Sequence, residues 1–67
     1  MDLTVTQRAI LTSALEVEAE HGEVDFYFTA CVYDRPRAGL RRVGAIAQDD
    51  EGRWQLTDEA RAALDSS

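Results

Sequence analysis

The chain has 67 residues, 45% hydrophobic and 30% charged, with 13 acids against 7 bases and a net charge of -6. These values describe one folded domain with a small core and exclude a disordered chain. No apolar run reaches the roughly 18 residues of a membrane span.

The N-terminus MDLTVTQ has no basic region followed by an apolar stretch, so a secretory leader is not expected and the expected compartment is cytoplasmic. The single cysteine, Cys31, rules out an intramolecular disulfide and a cysteine-based zinc site. Every basic side chain is arginine. Either a GC-rich coding sequence or an acidic surface adapted to high salt accounts for that. A thin core favours dimerisation or docking on a larger partner. The acidic total repels phosphate, so the local distribution of charge decides whether nucleic acid is a partner.

Residues 4–20 read as a helix. Thr4 and Gln7 have capping-box spacing, and Ile10, Leu11, Ala14, Leu15 and Val17 form an apolar stripe. Gly22 is placed to end the helix in a left-handed conformation. Glu16, Glu18, Glu20, Glu23 and Asp25 make that end acidic. Glu18 lies close to the apolar stripe, so it either emerges at the core edge or meets an arginine. His21 sits where its charge could offset the helix dipole. A lone histidine with no second ligand is a poor metal site.

Residues 24–33 fit two periods. Val24, Phe26, Phe28, Ala30 and Val32 alternate, which predicts a strand. A short helix would instead group Phe28, Cys31 and Val32. Local propensity favours the strand, which would pair with the hairpin below and give a small α+β sheet with helices on one face. Cys31, between Ala30 and Val32, is expected to be a small buried hydrophobe. Tyr27 and Tyr33 are expected to be partly exposed.

Residues 35–43 read as a short helix with Asp34 as cap, Pro36 in the first turn and Gly44 as terminator. Gly39 weakens it by roughly 1 kcal/mol against alanine. At about 100° per residue, Pro36, Leu40 and Val43 share the inward side, while Arg35, Arg37, Arg41 and Arg42 spread outward. Residues 35–48 hold four positive charges and no acid. A hairpin follows: strand Ala45–Gln48, turn 49–52 and strand Arg53–Leu56. Alternation turns Trp54 and Leu56 to one face, Arg53 and Gln55 to the other, and Trp54 is expected in the core. Thr57 caps a last helix with Asp58 and Glu59 in its first turn, and Leu56, Ala60, Ala63 and Leu64 form its inward stripe. Asp65-Ser66-Ser67 is expected to be a tail.

From Arg37 onward, RAGLRRVGAIAQDDEGRWQLTDEARAAL resembles winged helix-turn-helix domains. Leu40 and Val43 match inward residues, and Gly44-Ala45-Ile46 leads into a strand. Gly52-Arg53-Trp54-Gln55-Leu56-Thr57 matches the returning strand, and Asp58-Glu59-Ala60-Arg61 the start of the next helix. The opening LTVTQRAIL is similar to the family's first helix. The resemblance implies an α+β fold in which residues 24–33 are helical. A usual member has a longer, more polar second helix and turn there, so the helix-turn-helix is compressed.

The resemblance also implies that the second helix of the turn motif enters the major groove. Arg35, Arg37, Arg41 and Arg42 would then face duplex DNA, and Arg53 could reach its backbone. Arginine suits both tasks, binding guanine bidentately or phosphate. The competing reading pairs these arginines with the glutamates of the first helix, within one chain or across a dimer. Asp49-Asp50-Glu51 at the hairpin tip would repel phosphate. No Ser/His/Asp pattern, glycine-rich phosphate loop or metal-ligand spacing is present, so neither an enzyme nor a cofactor is expected. The expectation is a small DNA-binding transcriptional regulator, dimeric; the alternative is an interaction module that keeps the fold and binds protein.

Overall fold

The Thr4–Gln7 box forms as its spacing predicts: the Gln7 amide donates to Thr4 Oγ1 at 3.0 Å, and the Thr4 amide donates to Gln7 Oε1 at 2.9 Å. It opens α1, Val5–His21, in the computed structural model, which describes residues 1–66. Gly22, at φ 81°, closes α1 and donates to the Glu18 carbonyl. Leu11 and Ala14 are buried on the expected stripe, with Ile10 and Leu15 packed at its border.

Of the two windings open to residues 24–33, the strand that local propensity favours is not there and the helical one is. Residues 25–31 are helical, and Tyr27–Cys31 is wound as a π-helical turn closed by the Val32 amide on the Tyr27 carbonyl at 3.1 Å. Val24, Phe28 and Val32 are buried, while Phe26 is 38% exposed and Ala30 is exposed. The three buried positions lie four apart, a spacing that satisfies a helical stripe and strand alternation equally. A strand would have put Phe26 and Ala30 inside as well, more apolar volume than this interior holds. Cys31 is exposed, contrary to expectation, because the stripe through Phe28 and Val32 leaves it outside. The two-stranded sheet has no third strand among the described residues.

Helix α2 is Asp34–Arg42. Tyr33 stands at its N-cap without a side-chain cap, so Asp34 is the first helical residue rather than the cap. The C-terminus is satisfied by two backbone bonds: Gly44 N–H to the Arg41 carbonyl at 3.1 Å and Ala45 N–H to the Leu40 carbonyl at 2.9 Å. Gly44 adopts φ 82°, so this is a Schellman ending. Leu40 and Ala45 are fully buried beside it, and α2 packs on the strand that follows.

Strands β1 (Ile46–Gln48) and β2 (Trp54–Leu56) pair antiparallel, Ile46 opposite Leu56 and Gln48 opposite Trp54. Ile46, Trp54 and Leu56 face the core, and Arg53 and Gln55 face out, as alternation requires. Asp49 organises the turn. Its carboxylate accepts from the amides of Arg53 and Glu51 and from Gln55 Nε2. Those bonds, the Arg53 amide first, hold its carboxyl below the usual range.

Thr57 caps α3, Asp58–Asp65, by accepting from the Ala60 amide, and its hydroxyl donates to the Gly44 carbonyl. One residue therefore ties the start of α3 to the end of α2. Asp65 ends α3 rather than opening a tail; Ser67 lies outside the described residues. Ala60 is buried, and Leu64 packs at the core edge. Among the described residues no helix is long and apolar enough to cross a membrane.

Helix α3 packs on α1, and Glu18 meets an arginine there: Arg61 Nη1 and Nη2 donate to its two carboxylate oxygens at 2.7 Å each. These bonds hold the Glu18 carboxyl below its usual range and raise Arg61. A bidentate pair is the stronger kind, though this one is partly exposed. Glu18→Gln is expected to cost about 1 kcal/mol at neutral pH, discounted for solvent screening. Because the folded-state pKa is depressed, the contribution is complete above the ordinary glutamate range. It disappears as pH falls through the folded value. Urea titrations of both proteins from neutral pH into acid check this; the stability difference should narrow as the pH falls.

Candidate nucleic-acid interface

Arginines at 35, 37, 41 and 42 do not form one equivalent set. Arg35, Arg41 and Arg42 are exposed, and among the described residues none makes an ion pair. The glutamates of α1 do not neutralise them: Glu18 is held by Arg61 and Glu20 lies near His21. Pairing within the chain therefore leaves three cations of α2 open to solvent.

Arg37 departs from the outward orientation expected of it. Its side chain is 21% exposed. Nη1 donates to the Phe28 carbonyl at 2.6 Å, Nη2 donates to Asp34 Oδ1, and the guanidinium lies over the Trp54 ring, 5.8 Å from its centroid. The helical wheel gives the reason: Arg37 is only about 60° from Leu40, at the border of the buried stripe. It joins the π-turn, α2 and β2. At the opposite border Val43 is 39% exposed rather than inward, because α2 has ended at Arg42. Removing Arg37 leaves the Phe28 carbonyl and Asp34 without their donor, so Arg37→Ala is expected to lower stability by about 1–3 kcal/mol. Thermal unfolding followed by circular dichroism reads it directly.

Trp54 is 9% exposed, in the core as expected, yet one edge helps form a surface feature. A shallow depression is lined by Arg37, Ala38, Arg41, Arg42 and Trp54. The Trp54 amide donates to Asp25 Oδ1 at 2.8 Å, which fixes β2 against the start of the π-turn. Asp25 belonged to an acidic run in the sequence, and nothing in its spacing marks this tie across 29 positions.

Arg53 is exposed, with Nε 3.7 Å from Glu51 Oε2. The hairpin's one base is thus partly masked by its own tip, where Asp50 and Glu51 are exposed. A second depression, which Trp54 also lines, is acidic: Glu18, Glu23, Asp25, Asp49 and Glu51 line it with Arg53. Among the described residues no group of three or more His, Cys, Asp or Glu side chains could hold a metal ion. Tyr33 is 84% exposed beside α2, and Tyr27 is half-buried, its hydroxyl 3.5 Å from the Ile10 carbonyl. His21 meets Phe26 edge to face. No family model, curated protein or solved structure matches this chain.

Proposed function

We propose that this chain is a winged-helix DNA-binding protein acting in the cytoplasm as a transcriptional regulator rather than as an enzyme. The observation that carries the reading is the set of three arginines, Arg35, Arg41 and Arg42, without an ion pair among the described residues, on the exposed side of one short helix in an acidic chain. The order α1, π-turn, α2, hairpin, α3 supports the winged-helix assignment, with α2 in the place of the recognition helix. Three of the chain's seven arginines stand on that face. The masked Arg53 and the acidic hairpin tip make α2, not the wing, the principal contact. Arg37 ties the helix to the π-turn. A dimer would present two such helices, as the thin core favours. Backbone amide mapping by NMR during addition of a duplex tests the surface. The amides of Arg35 and of residues 37–42 should move first, and those of Asp50 and Glu51 should stay still.

The second reading is a winged-helix module that binds protein and not DNA. Tyr33 and Val43, exposed at the two ends of α2, favour it, as an aromatic group beside arginine characterises protein interfaces. Light scattering separates the two: a stable complex with a protein partner, and no duplex affinity at any salt, selects this reading.

A further inference from the structure

We infer that the depression between α2 and β2 is a binding site for a phosphate-type oxyanion, held by Arg41 and Arg42 with Trp54 as its wall. Two guanidiniums adjacent in sequence lie on one rim, and among the described residues neither has a carboxylate partner. Both carry a positive charge on one depression, so an anion bound there is attracted by both. Arg37 lines the same depression but has committed both terminal nitrogens to Phe28 and Asp34. Its part is to position the indole, over which its guanidinium lies.

Trp54 supplies the second observation. It is nine-tenths buried, and its indole N–H donates to no group among the described residues. That nitrogen is not sealed from solvent either, since no buried polar side-chain atom lacks a partner. It reaches the surface as an unused donor, and Trp54 lines both this depression and the acidic one. The backbone amides at the end of α2 contribute nothing, because those of Val43, Gly44 and Ala45 are bonded to carbonyls. The site therefore consists of two charged forks against the Trp54 side chain, and the forks fit phosphate oxygens. Ala38 leaves the mouth open.

The phosphate could belong to a duplex backbone or to a free phosphorylated molecule. The inference shares Arg41 and Arg42 with the DNA reading but does not require a duplex. Trp54 is the chain's one tryptophan, so its emission reports the site without a label. The experiment titrates the full chain with pyrophosphate, with sodium chloride at matched ionic strength, and with a labelled duplex followed by anisotropy as well. The expected result is a saturable change in indole emission with pyrophosphate that chloride does not reproduce. The half-saturation point should rise about tenfold or more in the Arg41→Gln, Arg42→Gln double variant. If the duplex produces the same change and pyrophosphate displaces it, the natural source is backbone phosphate. Indole emission that responds to pyrophosphate with no duplex binding keeps the site and defeats the DNA reading. Duplex binding with a silent indole and no response to pyrophosphate overturns the site and leaves the DNA reading standing. An equal pyrophosphate response in the double variant also overturns it. Circular dichroism confirms that the double variant, altered only at exposed side chains, is folded.

Discussion

Phe28→Ala is expected to unfold the domain. Phe28 is fully buried on the π-turn, between Val24 and Val32, and is among the largest sealed side chains. Replacing a buried phenylalanine by alanine costs about 3–5 kcal/mol, part lost transfer energy and part cavity. A domain of this size has roughly 3–10 kcal/mol in total. The variant should lose its cooperative thermal transition or melt far below the parent. Phe26→Ala is the matched control. Phe26 is 38% exposed, so its removal should cost less than about 1 kcal/mol. The contrast tests the winding of residues 24–33, because a strand would bury both rings on one face. Equal losses at the two positions would reinstate the strand.

Replacing Arg41 and Arg42 together by alanine should leave the fold intact and weaken DNA binding. Both side chains are exposed and unpaired among the described residues, so stability should change by less than about 0.5 kcal/mol. Duplex affinity should fall about tenfold or more, by a similar factor for unrelated sequences, if the two meet phosphate. The slope of log affinity against log salt should become shallower by about two units, one for each lost contact. Loss at one sequence alone would instead mark base readout. Arg37→Ala should behave in the opposite way, losing stability first, because its donors serve Phe28 and Asp34. Anisotropy titrations and thermal melts on both variants separate the two roles.

The punctuation of the chain was readable from residues alone. Thr4 with Gln7, Thr57, Gly22 and Gly44 each end or open an element where expected. Caps are local, since each bond spans a few residues and depends on the chemistry of those residues. The hairpin was readable for the same reason, with Asp49 and Gly52 shaping its turn. Residues 24–33 were not, because Val24, Phe28 and Val32 satisfy both periods and only the available interior volume decides between them. Within the candidate interface, the exposure of Arg35, Arg41 and Arg42 followed from the helical wheel. The inward turn of Arg37 did not, since it depends on a carbonyl nine residues away and on the indole of Trp54. The Asp25–Trp54 tie and the choice of Arg61 as partner of Glu18 are likewise tertiary, joining positions 29 and 43 apart.

The claim that α2 meets duplex phosphates has one direct measurement: the affinity of the unmodified chain for a labelled duplex at low and at moderate salt. Three phosphate contacts, from Arg35, Arg41 and Arg42, predict saturable binding that weakens about 30- to 50-fold between about 50 and 200 mM salt. No saturable binding at the lower salt, or an affinity that salt does not change, would contradict it.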